Sequence, residues 1–214
     1  MNQNLTTIFA LAVACVTGAV HAQGNAKAAA SKVAMCIGCH GIEGYQASFP
    51  EVHKVPMISG QGAAYIAASL LAYQKGERKH PTMRSIANSL TEQDIADVAA
   101  FYEKQVPAAA ARPAREPSVQ VAELLKRGAC ISCHGDNFSK PIDPSYPKIA
   151  GQHADYLYVA LKSHKIDKNP QVGRTNGVMA GIAQQFTNQE LKQLANYIGK
   201  LDGELKTVPQ SRFK

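Results

Sequence analysis

The chain of 214 residues has no tryptophan, and aromatic residues make up only 7 % of it. Two small domains cut from such a chain have few large side chains to fill a core. Domains of that kind lean on disulfides, metals or a large bound apolar body. Cysteine is scarce outside one pattern as well. Of five cysteines, Cys15 lies in the N-terminal apolar stretch, and Cys36, Cys39, Cys130 and Cys133 all sit in two CxxC motifs. None is left over for a structural disulfide. The first residues also lack Lys and Arg, yet an apolar run from Ile8 to Val20 ends in Val20-His21-Ala22. Residues 1–22 therefore read as a secretory signal peptide cleaved after Ala22. The run is short for a membrane span, so an anchor helix kept in place is the lesser alternative. Acylation of Cys15 is less favoured again, because Ala12 stands where Leu is expected. An exported protein normally spends spare cysteines on disulfides; here every cysteine beyond Cys15 is committed elsewhere.

Charge is lopsided. Residues 23–111 hold eight Lys/Arg against seven Asp/Glu, and residues 112–214 hold fifteen against nine. The basic residues are dispersed, with no aromatic interleaving and no recognisable binding motif, which argues against nucleic acid. A basic surface that keeps the chain soluble, or that docks an acidic protein partner, fits the pattern.

The two halves repeat each other. VAMCIGCHG parallels RGACISCHG, and VPMISGQGAAYIAASLLAY parallels YPKIAGQHADYLYVALKSH. The pairing matches Pro56 with Pro147, Gly60-Gln61 with Gly151-Gln152, and Tyr65 with Tyr156. Further on, MRSIANSLTEQDIADVAAFY parallels MAGIAQQFTNQELKQLANYI, matching Met83 with Met179 and Thr91 with Thr187. The expected organisation is a first domain over 23–105, a proline-rich linker over 106–117, a second domain over 118–203 and a tail over 204–214. Ile66, Leu70 and Tyr73 recur at helical spacing, as do Ile95, Val98 and Tyr102. Thr91 with Asp94 and Thr187 with Glu190 form capping boxes. Helices are expected from about Ala26 and from about Val119 into the two motifs, and few alternating runs suggest strands. The fold class is all-α.

Three chemistries use CxxC. Zinc needs four ligands gathered in one place, but the two pairs lie in separate repeat units. Dithiol exchange is expected beside a βαβ pattern, which is missing. Covalent haem attachment uses CxxCH, where two thiols one helical turn apart reach the two vinyl groups and the following histidine points under the ring. Two such motifs at equivalent positions of a repeat favour this chemistry.

With these motifs, the Pro-x-Ile-x-Gly-Gln stretches and the Met-x-x-Ile-Ala segments, residues 25–201 resemble the dihaem c-type cytochromes of the cytochrome c4 family. The resemblance implies tandem class I cytochrome c domains, each a few helices around a covalently bound haem c, two in all. It implies thioether attachment at Cys36, Cys39, Cys130 and Cys133, and iron ligation by His40 with Met83 and by His134 with Met179. Met35 abuts Cys36, and Met57 is matched by Lys148, so both are poorer ligands. His153 and His164 are unrepeated, and His80 lies close enough to Met83 to be a rival ligand in some redox state; for these and for His53, ordinary surface or core roles are favoured. Pro56 and Pro147 resemble the family proline whose carbonyl accepts the haem histidine's Nδ1–H. Gly60 and Gly151 suit a positive-φ turn or close approach to haem, and Arg84 is a weak candidate for a haem propionate. The implied activity is single-electron transfer in the periplasm, free or peripherally on the membrane, between partners such as a quinol-oxidising complex and a terminal oxidase. The alternatives are the dihaem subunit of a flavoprotein sulfide dehydrogenase and a haem enzyme such as a peroxidase.

Overall fold

The computed structural model describes residues 24–106 and 115–209. The N-terminal apolar segment with Cys15, most of the proline-rich connector and the last five residues lie outside them. Each half is a small helical bundle. The first holds α1 (Ala34–His40), α2 (Ala63–Lys75), α3 (Pro81–Asn88) and α4 (Glu92–Lys104). The second holds α5 (Val119–Arg127), α6 (Ile131–His134), α7 (Ala154–Ser163), α8 (Gly177–Gln184) and α9 (Asn188–Ile198).

The helices form where apolar spacing and caps agree. In α2 the buried residues are Ile66, Leu70 and Tyr73, and α4 buries Ile95, Val98 and Tyr102, the stripes expected from the sequence. Both capping boxes are made: Thr91 and Asp94 start α4, and Thr187 and Glu190 start α9. Each hydroxyl accepts the third amide of the helix while the acid accepts the cap residue's own amide, so two otherwise orphaned donors are satisfied. Left-handed Gly76 ends α2. The alanine-rich stretch after Ala26 departs from expectation. It forms only a single 3₁₀ turn over Ala28–Ser31 before α1 begins. That turn packs on α4, and the amide of Asn25 donates to the Asp97 carboxylate at 2.7 Å.

In the first half α2 packs on α3 and α4 around Val33, Ile37, Leu70 and Val98. In the second, α7 packs on α9 and α5 on α9, around Phe138, Leu157, Leu191 and Leu194. Strand structure among the described residues is confined to two-residue pieces. Two of these, β1 (Gln46–Ala47) and β2 (His53–Lys54), pair within the first half. The others, β3 (Arg78–Lys79) and β4 (Gly173–Arg174), pair antiparallel between the halves, with Arg78 opposite Arg174.

The contact between the halves is extensive and polar. Lys54 N–H donates to Asp155, Thr175 N–H donates to Glu77 O, and Lys79 Nζ donates to Asn169 O. Beyond α9 the chain crosses back to the first half instead of trailing away. Lys206 pairs with Ser59, Leu205 is buried, and Glu204 forms an ion pair with Lys148 at 2.6 Å. Gly60 at φ +86° lies so close to this strap that a Cβ there would stand 2.8 Å from Glu204 O. Both this glycine and Gly151 take the positive-φ turn; the nearest neighbours are Glu204 and Val106 for Gly60, and Leu201 and Gly203 for Gly151. Among the described residues no helix is long and apolar enough to cross a membrane.

Candidate haem sites

The helix carrying CIGCH, α1, and its short counterpart α6 bring the paired cysteines to the wall of one cavity of about 1030 Å³ that runs between the halves. Pockets for one small ligand usually occupy about 300–1,000 Å³, so this space lies at the upper end of that range. Cys36, Cys39, His40 and Met83 line it from one side, and Cys130, Cys133, His134 and Met179 from the other. All four cysteines are half-buried free thiols. Burial pushes the Cys36 thiol up to about 11 and raises Cys130 as well. Among the described residues no group of three or more His, Cys, Asp or Glu side chains converges as a metal cluster. The two CxxC pairs therefore do not build one shared zinc site.

The histidines are held from behind. His40 Nδ1 donates to Pro56 O at 2.8 Å, and His134 Nδ1 donates to Pro147 O at 3.2 Å. A carbonyl can only accept, so this bond fixes the tautomer and leaves Nε2 as the lone-pair nitrogen facing the cavity. Burial lowers both imidazole pKa values, with the proline carbonyls opposing it. A neutral imidazole is the form that binds a metal.

The methionines line the same cavity and sit in matched local structure. Met83 and Met179 are each the third residue of a short helix, and each donates its amide to the side chain of the cap residue. The cap is His80 in α3, whose Nδ1 accepts at 3.4 Å, and Asn176 in α8, whose Oδ1 accepts at 3.0 Å. His80 thus has a structural task, and its equivalence to Asn176 explains why it is not repeated as histidine. Of the other histidines, His53 is buried with Nδ1 on Glu51 O, and His164 takes the place of Tyr73. Arg84 is exposed.

A feature that sequence reading passed over fills the space between the two sites. Arg78 and Arg174, each five residues before its methionine, meet at the interface. Arg78 donates to Tyr156 Oη at 2.7 Å and to Tyr65 Oη at 3.4 Å, and Arg174 donates to the same Tyr156 Oη at 3.1 Å. Arg78 also stacks over Tyr73, 4.8 Å from its ring centroid. Tyr65 and Tyr156 are repeat partners, as are the two arginines by their offset from the methionines, but the bonds centre on Tyr156, which accepts from both arginines. Burial pushes the Tyr156 phenol up, but the two guanidiniums outweigh it and bring it down to about 8. Burial, followed by the charges of Arg174 and Arg78, brings His164 down to about 3. The Arg78 Nε is enclosed and has no hydrogen-bond acceptor among the described residues. Two fixed cations with phenols for partners, one of them with an orphaned donor, suit an anion with several oxygen acceptors.

Paired thiols, a back-bonded imidazole, a thioether on the same cavity and cationic donors all fit a haem with its two vinyl groups, iron and carboxylates. The architecture is that of tandem c-type cytochrome domains. The cytochrome c family model matches residues 26–104 and again 119–202. Cytochrome c4 of Azotobacter vinelandii is 30 % identical over 215 residues, covering 92 % of this chain and 98 % of that protein. The thiosulfate dehydrogenase electron acceptor of Stutzerimonas stutzeri is 29 % identical, covering 85 % of this chain and 84 % of that one. The crystal structure of reduced recombinant cytochrome c4 from Pseudomonas stutzeri superposes with a TM-score of 0.60 at 26 % identity, covering 84 % of this chain and all of that one. The chain belongs to the cytochrome c family and, within it, to the cytochrome c4 proteins. It is a dihaem electron carrier rather than an enzyme, with two covalently bound haem c groups, and it exchanges electrons with redox protein partners.

Proposed function

We propose that Cys36 and Cys39 hold one haem and Cys130 and Cys133 the other, in domains 23–105 and 118–203 joined by the linker 106–117 and followed by the segment 204–214. His40 with Met83 ligate the first iron, and His134 with Met179 the second. The observation that carries this reading is the matched setting of each pair: a histidine with Nδ1 held by a proline carbonyl and a methionine at the third position of a capped helix, both lining one cavity. When bound, each haem supplies an iron that cycles between Fe(II) and Fe(III), and His/Met ligation raises its potential. The chain's own residues fix the imidazole tautomer, and Arg78 and Arg174 would hold the haem carboxylates.

The oxidised protein is expected to show the weak long-wavelength band of methionine-to-iron charge transfer. Met83→Ala and Met179→Ala each remove about half of it, and the double variant removes all. A single substitution that leaves the band intact overturns that ligand.

The protein works in the periplasm, exported by residues 1–22, free or peripherally bound to the membrane, between a quinol-oxidising complex and a terminal oxidase. A second reading, as acceptor for a thiosulfate-oxidising dehydrogenase, is favoured by the relative from S. stutzeri that is named for that role. Adding thiosulfate and such a dehydrogenase to the oxidised protein decides between them, since reduction occurs only in the second case. The basic second half supports docking to an acidic partner, so the rate of electron transfer should fall as salt rises. A flat response removes the docking role.

A further inference from the structure

Gln61 and Gln152 occupy equivalent places just after the positive-φ glycines, and both are buried, at 4 % exposure each. Each side chain crosses to the other half and grips a single residue by both its backbone groups. Gln152 Oε1 accepts Met57 N–H at 3.0 Å, and its Nε2 donates to Met57 O at 2.9 Å. Gln61 Oε1 accepts Lys148 N–H at 2.9 Å, and its Nε2 donates to Lys148 O at 2.9 Å. Each Oε1 also accepts the amide that follows it in its own chain, from Gly62 and His153 at 3.0 Å each, which locks the side chain in place.

The residues gripped are the ones after Pro56 and Pro147. Met57 N–H and Pro56 C=O belong to one planar peptide group, as do Lys148 N–H and Pro147 C=O. The hydrogen bonds therefore run in series: Gln152 Oε1 to Met57 N–H, through the peptide, and Pro56 O to His40 Nδ1–H. The mirror chain runs from Gln61 through Lys148 and Pro147 to His134. Donation by the amide polarises the peptide and makes its carbonyl a better acceptor, strengthening the bond beyond it. A stronger Nδ1–H bond makes the imidazole a more basic ligand.

We propose that Gln61 and Gln152 are positioning residues that act in trans: Gln152 of the second domain tunes the iron ligated by His40, and Gln61 of the first tunes the iron ligated by His134. Docking of the domains is then part of each redox centre. The inference rests on the ligand assignment above, and its test separates the two. In the full-length haem-loaded protein, Met83→His and Met179→His, made singly, assign the two waves of a redox titration, because imidazole in place of thioether lowers the potential of its own centre. If neither variant moves one wave alone, the ligand assignment fails and this inference with it.

With the waves assigned, Gln152→Leu is expected to raise the potential of the first centre and leave the second in place. A weaker bond to His40 stabilises Fe(III) less. Gln61→Leu gives the reverse pattern. Gln152→Glu keeps an acceptor for Met57 N–H and makes it anionic, which strengthens the bonds in series, so the shift stays at the first centre but reverses, to a lower potential; this variant also serves if the leucine substitution fails to fold. A glutamine that serves only to hold the domains together predicts equal shifts in both waves. That result, a shift in the glutamine's own domain, or no shift overturns the proposal.

Discussion

Arg78 and Arg174 stand directly opposite each other in the antiparallel pair β3–β4, one from each domain. Like charges directly across a ladder are destabilising, and the partners within reach among the described residues are the phenols of Tyr65 and Tyr156 rather than carboxylates. The two charges also act on their neighbours, against burial at Tyr156 and in addition to burial at His164. Tyr156 falls to about 8 despite its burial, and His164 falls to about 3. An arrangement that is repulsive by itself becomes favourable once an anion sits between the two charges.

Replacing either arginine in the haem-loaded protein therefore has a definite sign. Arg78→Met or Arg174→Met should cost about 2 kcal/mol of stability against denaturant, the scale of hydrogen bonds to charged groups. Each should also lower the midpoint potentials, because removing a positive charge near the irons favours Fe(III). Denaturant titration with spectroscopic detection of haem, and a redox titration, check both. A gain in stability would show that the repulsion is uncompensated and that no carboxylate lies there.

The glycine that closes each CxxCH motif has different duties in the two domains. Gly135 follows His134 at φ 77° and ψ 162°, a region essentially reserved for glycine. A Cβ there would run into the carbonyl of Lys140. Gly41 follows His40 at φ −100° and ψ 6°, which other residues adopt, although a Cβ would sit 2.9 Å from Ile37 O. Gly135→Ala is expected to cost about 3 kcal/mol, the upper end for strained backbone positions. Gly41→Ala should cost about 1 kcal/mol, typical of a single substitution. The comparison is made by denaturant unfolding of each variant, and equal losses would mean that the two motifs share one backbone requirement.

Local chemistry was legible in the chain, and contact across the repeat was not. The stripes Ile66-Leu70-Tyr73 and Ile95-Val98-Tyr102 are set by helical geometry a few residues at a time, and both proved to be buried faces. The two capping boxes were equally local. Proline carbonyls behind the histidines followed from the family resemblance and lie where it implied. The helix expected from Ala26 shortened to one 3₁₀ turn because docking on α4 outweighs propensity. The arginine pair and the glutamine grips depend on how two domains meet, and no window within one copy contains that information. The signal was nonetheless present. Arg78 and Arg174 stand at the same offset from the matched methionines, and Gln61 and Gln152 were aligned before either had a role. Arg84, the weak candidate for a propionate that Ala180 replaces in the second copy, is exposed.

Acid stability offers a test on the second domain. Glu190 closes the capping box of α9, and Arg127 binds the same carboxylate. The bond from Arg127, joined by the amide and hydroxyl of Thr187, lowers the Glu190 carboxyl to about 2. The folded value lies below the unfolded one, near 4.3 for glutamate. The unfolded state therefore takes up the proton first as pH falls, and folding loses this contribution progressively between about pH 4.3 and pH 2. Above that window the contribution is complete. Glu190→Gln should then destabilise the second domain at neutral pH, while the difference from the parent shrinks through the window and vanishes below it. Because the carboxylate lies at the surface, the neutral-pH difference should also diminish with added salt. Thermal unfolding of both proteins at a series of pH values, followed at the second haem, measures this directly. A difference that stays constant down to pH 2 would mean that the cap works through the geometry of its hydrogen bonds and not through the charge of Glu190.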